Sequence, residues 1–255
     1  MSTPTAAVSP TLTRLAEERA TGVLVRDHGA LYLSDGQVVH AESPAAPGLD
    51  VLLIAGGRLG RTGWDDAVAR AGARREVGRF LVDSGQVTGG ELELCHLAAL
   101  HDAAFFTLGP AGGPTRFRYG VAHWMGSIRP VPAADVAREA SRRRGLLEAL
   151  WPYPGVDTAP LRPAPASPGA SRRQRALLAL ADGVRTPPAI ARVIGRPAFN
   201  TLVEVRRMAA AGLVETPPDP ACTPRARLPD WVPDFSDDPD IALLRRLRDA
   251  LEASL

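Results

Sequence analysis

GVLVRDHGALYLSDGQVVHAE, residues 22–42, is the stretch that decides the fold class. Three short runs of alternating apolar residues are separated by two dipeptides, His28-Gly29 and Asp35-Gly36. Glycine accepts the positive φ that tight hairpin turns need, and Asp-Gly between alternating runs is a strong hairpin signal. The stretch therefore reads as a three-stranded meander. Upstream, the apolar positions from Pro10 to Arg19 recur at helical spacing. Downstream, beyond Pro44 and Pro47, helical spacing returns through Leu49, Leu52, Leu53, Trp64 and Val68, and again through Val77, Phe80 and Leu81 as far as Gly85. Thr88, with Glu91 three residues later, has the form of a capping box ahead of a helix that carries Leu92 to Leu108. TRFRYGV, residues 115–121, alternates as a strand, and Val131 to Leu150 reads as a last helix. Helices gathered around a meander make residues 1–151 an α+β domain.

The chain has 255 residues, 45% apolar and 23% charged, enough for one large domain or two modest ones with real cores. A net charge of +2 says nothing of partners, but its distribution does. Residues 1–151 balance 16 Arg against 16 acids, 171–218 carry eight Arg against three acids, and 219–255 carry five against eight. All 30 basic residues are Arg and Asn occurs once, at Asn200, as a GC-rich bacterial genome would produce. Cys95 and Cys222 lie far apart, so no disulfide framework is expected and a reducing cytoplasm fits. The start lacks a basic region followed by an apolar one. The longest apolar run, around Val51 to Ala55, is far short of the roughly 20 residues a span requires, so no membrane role is expected.

The order of a helix, TGVLV, LYLSDGQVVHAE, GRFLVDSGQVTGGELELCHLAALHDAAFFTL and the strand FRYGV resembles the PATAN domain, a family of bacterial signalling modules. The resemblance covers about residues 10 to 150. Its most telling piece is GxxxxxDGxxVHA, read from Gly29 to Ala41, paired with a later L-x-x-x-G-x-x-x-x-x-x-L segment. It implies a non-catalytic module that binds a partner protein in a signalling pathway.

Residues 152–170 hold Pro152, Pro154, Pro160, Pro163, Pro165 and Pro168 and few large apolar groups, so they read as a semi-extended linker. Spacing then predicts three helices in 171–218. The first carries Leu177, Leu178 and Leu180. The second is capped by Thr186, with Pro187 in its first turn, and buries Ile190, Val193 and Ile194. The third follows Pro197 and buries Phe199, Leu202, Val203 and Met208, and LVET can add a strand of a wing. This layout resembles the winged helix-turn-helix of bacterial transcription regulators. The resemblance implies duplex DNA as partner, with the third helix in the major groove and a dimer on a pseudo-palindromic site. Arg196, Asn200, Thr201, Glu204 and Arg207 fall opposite the apolar stripe and form the expected groove-facing set, since Arg grips guanine and Asn pairs with adenine. Arg172, Arg173, Arg175, Arg185 and Arg192 are the expected phosphate contacts.

The blander alternative stands beside this one. Arg is the only cation available to this chain, Glu204 repels phosphate, and Ala209 to Ala211 read nothing. On that view the protein is an adaptor or scaffold for a small GTPase or a two-component pathway, with no nucleic acid involved. In the acidic tail, Ile241, Leu244, Leu247, Leu251 and Leu255 form one helical stripe, and Trp231 and Phe235, four apart among acids, are expected either as anchors of the same partner contact or as part of an acidic linker covering the basic module. So short a helix is marginal alone, so the stripe needs a covering surface: this chain, a second copy, or a partner protein. Neither a Walker loop, nor G-x-S-x-G, nor a Rossmann fingerprint occurs, so neither catalysis nor a cofactor is expected. Among His28, His40, His96, His101 and His123, the nearest approach to a metal helix is Cys95, His96 and His101. Positions 96 and 101 diverge on a helix, unlike the i, i+4 pair of zinc helices, so no metal is expected there. His40 is expected at a strand end, on an edge, with a satisfied imidazole.

Overall fold

The local signals place most elements. In the computed structural model, which describes residues 10–110, 114–165 and 170–215, helix α1 (Pro10–Glu17) precedes the meander β1 (Gly22–Arg26), β2 (Gly29–Ser34) and β3 (Gln37–Glu42). Asp35 and Gly36 both have positive φ, +49° and +76°, the pairing a two-residue hairpin turn requires. Helices α2 (Leu49–Ala55), α3 (Arg61–Ala71), α4 (Val77–Asp83) and α5 (Gly89–Thr107) follow, and the Thr88–Glu91 capping box opens α5. Strand β4 (Arg116–Tyr119) returns to pair with β1. Val131 and Pro132 form a short strand, β5, against β3, and α6 starts only at Ala133 (Ala133–Leu150). A helix from Val131 was expected. Pro130 and Pro132 prevent it, because a residue before proline is driven to extended backbone.

The sheet is antiparallel, in the order β4-β1-β2-β3-β5. The fold is thus α+β. Helix α5 packs on β2 and β3, on α2 and α4, and on α6. One core lies between sheet and helices, centred on Leu12, Leu15, Leu24, Leu31, Leu100 and Val136. A second gathers Leu53, Trp64, Val77, Leu81 and Leu92 among α2 to α5.

Three helices follow: α7 (Arg172–Leu178), α8 (Pro187–Ile194) and α9 (Ala198–Ala210). Their core includes Leu177, Ile190, Val205 and Met208, but also Val156 and Leu161 from the proline-rich segment. That segment is therefore no free linker. Residues Pro154–Asp157 form a 3₁₀ turn. Ala164 N–H donates to Leu213 O and Glu215 N–H to Arg162 O, with an antiparallel bridge between Pro163 and Val214. The strand expected of a wing therefore finds its partner in 161–164. Two apolar residues at a spacing of five suffice to anchor so short a strap, and proline composition does not register them.

All described residues lie in one unit that ends at Pro217. Trp231, Phe235, Ile241, Leu244, Leu247 and Leu251 lie outside the described residues. Among the described residues no helix is long and apolar enough to cross a membrane.

At the end of α8, Gly195 has φ +69°, and a Cβ there would lie 2.3 Å from Cβ of Ala55 at the end of α2. Gly195→Ala combines left-handed strain of about 1–2 kcal/mol with that collision. Urea denaturation of this variant should give a lower midpoint, by at least that amount of stability.

Candidate functional site

The third helix of the last module, α9, begins after Arg196-Pro197 and so has no Ser, Thr, Asp or Asn to cap its first turn. Its cap comes from elsewhere. Asp102, on α5 and fully buried, accepts from Ala198 N–H at 2.5 Å and from Phe199 N–H at 2.8 Å. The carboxylate satisfies two of the orphan donors of a helix start and lies at the positive end of the helix dipole. Arg143 of α6 stands 3.6 Å from the same carboxylate, with its guanidinium 4.6 Å from the Phe199 ring centre. Phe199 and Leu202 are buried against Phe105 and Leu147. One turn on, Arg206 is only 4% exposed. Its Nε and Nη2 grip Asp157 at 2.9 and 2.5 Å, and its Nη1 donates to Leu147 O at 3.0 Å and to Trp151 O. A bidentate guanidinium–carboxylate pair with further carbonyl acceptors leaves little of this buried charge unsatisfied. Helix α9 is therefore fastened to α5, α6 and the 154–157 turn along one side and to its own core along another.

The expected nucleic-acid residues are placed as follows. Arg172, Arg173, Arg175, Arg185, Arg192, Arg196, Asn200 and Arg207 are exposed. Arg173, Arg196 and Asn200 meet around one shallow concavity between α7 and α9, together with Thr201 and Glu204. Thr201, expected in the groove-facing set, is 3% exposed and belongs to the interior. The helix buries two faces instead of one, so its free side narrows to a strip through Asn200 and Arg207. Arg207 pairs with Glu204 at 3.0 Å, and Arg185 with Asp182 at 3.0 Å. Arg192 donates to the carbonyls of Pro44 and Ala46 in the α+β domain, an internal partner in addition to its exposure. Arg206, which the sequence pattern did not single out, does more to place α9 than any of these.

A second constellation lies on the sheet. His40 was expected on an edge with its ring satisfied, but its ring is stacked with those of His96 and His123 and it is 5% exposed. Its Nδ1 has no partner, and its Nε2 stands 4.0 Å from Glu42 Oε1, beyond hydrogen-bond reach. Burial first, then the neighbouring His123 and His96, push its pKa down to about 3. The His40 and His123 rings are stacked, 3.8 Å apart and inclined by 19°, and His96 lies 5.8 Å from His40 on the other side. His123, on the segment between β4 and β5, accepts from Met125 N–H at Nδ1, at 3.2 Å. In the tautomer compatible with that contact, Nε2 donates to Glu42 Oε1 at 2.9 Å. That bond, more than any other contact, holds Glu42 below the ordinary carboxylate range. His96, whose Nε2 is 2.9 Å from Val39 O, is locked onto β3. His40, Glu42 and His123 line a cavity of about 710 Å³ with Trp64, Trp124 and Arg192. The donor atoms of the three lie within 4.8 Å of one another. The sequence spacing around positions 95 to 101 does not reveal this cluster, because His123 is brought in by a loop 81 residues after Glu42.

Two outcomes are expected at the α9 junction. Arg206→Ala leaves Asp157 without its partner and should cost about 3 kcal/mol or more in urea denaturation. Burial pushes the Asp102 carboxyl up from 3.8 to about 6, although two N–H groups and Arg143 favour its charged form. The folded protein therefore holds this proton more tightly than the unfolded chain. The stability linked to it is full below 3.8 and is lost as the pH rises through about 6. From pH 5 to pH 7.5, the wild type should lose about 1 kcal/mol relative to Asp102→Asn, read from paired urea titrations. Comparison with protein-family models, with curated proteins and with solved structures finds no match to this chain.

Proposed function

We propose that this chain is a non-catalytic signalling adaptor of PATAN type. Its α+β domain receives a signal or partner protein, and its three-helix module is a docked part of that same body. The observation that carries this reading is the buried start of α9. A helix that reads bases enters the major groove with its first turns, and those turns must be free. Here the first two N–H groups of α9 are bound to Asp102, and Thr201, Leu202, Val205 and Arg206 are buried. Freeing the helix would leave a carboxylate and two N–H groups unpaired and would separate Arg206 from Asp157. Each such loss is worth about 1–3 kcal/mol or more, so release requires a comparable gain from DNA.

The transcription regulator is the second reading, and one observation favours it. Arg173, Arg196 and Asn200 are exposed and lie together on the surface beside α9, where they are open to a phosphate backbone or a base edge. On this reading the protein acts as a dimer on duplex DNA.

Fluorescence anisotropy of the full chain against a labelled random-sequence duplex and a pool of genomic fragments separates the two. The adaptor reading expects, at low salt, weak association at most, with the same affinity for every fragment and none at physiological salt. Selection of particular fragments, with an affinity that Arg196→Ala weakens by about tenfold or more, would replace it with the regulator.

A further inference from the structure

We propose that His40, Glu42 and His123 bind a divalent transition-metal ion of the zinc class. The fourth coordination position would be left to water or a small ligand in the adjoining cavity. The three donors converge from two separate parts of the fold. Nε2 of His123 and Nε2 of His40 stand 2.9 Å and 4.0 Å from one atom, Glu42 Oε1. A tetrahedral ion with bonds of about 2.0–2.1 Å to nitrogen and oxygen needs donor separations of about 3.3 Å, between those two distances. Two imidazoles and one carboxylate suit zinc or a neighbouring transition metal, whereas magnesium and calcium prefer oxygen throughout. Three protein ligands are also the number that leaves a position open, and all three line the cavity.

The second, independent observation is His40 itself. It is buried, its Nδ1 has no partner, as holds also for His96 and His101, and what sets it apart is that its Nε2, the atom that would hold the ion, stands beside Glu42 yet beyond hydrogen-bond reach of it. Buried polar groups are nearly always satisfied, so an imidazole in this state has a place for a ligand. The histidine–carboxylate bond from His123 to Glu42 needs no such neighbour.

The geometry also says how the ion would enter. Parallel rings cannot both aim their in-plane lone pairs at one ion between them, so one ring must turn. His40 is fixed within β3, paired with Tyr32 of β2, whereas His123 is on the β4–β5 connection. Turning His123 breaks the contact of its Nδ1 with Met125 N–H. The ring proton can then move to Nδ1 and stay there, so that Nε2 of the neutral imidazole is freed for the metal. Trp124 follows His123 directly, with ring centres 5.1 Å apart, so its fluorescence reports the movement.

The full chain, stripped with a chelator, is titrated with Zn²⁺ and separately with Co²⁺. Tryptophan fluorescence, visible cobalt absorption and metal content after gel filtration are then read. One ion per chain at micromolar concentration is expected, with a tetrahedral cobalt spectrum lacking thiolate bands and no response to Mg²⁺. Glu42→Gln and His123→Ala should each weaken binding by about tenfold or more, while Cys95→Ser and His101→Ala should not. Glu42 is half exposed, so its variant keeps the test valid if the His123 variant is unstable. Absence of stoichiometric metal, unchanged affinity in Glu42→Gln, or a cobalt spectrum with thiolate bands overturns the proposal. His40, Glu42 and His123 are then only a hydrogen-bonded strut between the sheet and the β4–β5 connection.

Discussion

A carboxylate fully shielded from water joins the two parts of this molecule. Asp102 lies on the helix that runs across the sheet, and it caps a helix from the far end of the described chain. The arrangement holds because each side lacks what the other supplies. Helix α9 begins after Pro197 with no polar cap of its own, and Asp102, fully buried, requires donors. Phe199 and Leu202 close over the contact, and Arg206 secures the next turn to Asp157 and to the end of α6. The carboxylate carries a desolvation penalty that keeps its proton affinity high, so the joint is strong without being indifferent to pH.

The same helix, α5, also touches the second constellation. His96, six residues before Asp102, is bonded to the backbone of β3 beside His40. Helix α5 thus meets the stack of imidazoles through one residue and the start of α9 through another. The imidazole stack tolerates burial because His40 stays neutral, so the like charges that would separate the rings do not arise. Trp64 and Trp124 give the adjoining cavity large apolar walls, while Glu42 and Arg192 bring charge to its rim. Arg192 belongs to α8, so the helical module itself contributes to this wall.

Elements with a local physical cause were legible in advance. The Asp35-Gly36 turn, the Thr88–Glu91 capping box and the Thr186 cap with Pro187 behind it each depend on residues within four positions of one another. The meander and the three late helices follow from periodicity of the same range. The burial of Thr201 was missed, because a single-stripe reading of α9 allows it only one covered face. The strap at 161–164 was missed because composition weighs its prolines and not the few apolar residues that find a groove. His40, Glu42 and His123 were missed as a group because their proximity is set by the pairing of β3 with β5 and by the path of the loop before β5.

From the amino-acid order alone come the α+β class, the hairpin turns, the helix caps and the concentration of arginine in the last module. Hydrogen bonding across a few residues and the two periodicities of side-chain direction are enough to specify these. Which arginines are free, which helix face remains open, and which histidines meet were decided only by tertiary structure. Those properties depend on contacts between residues such as 102 with 198 and 42 with 123, and it is the packing of several elements at once that sets them.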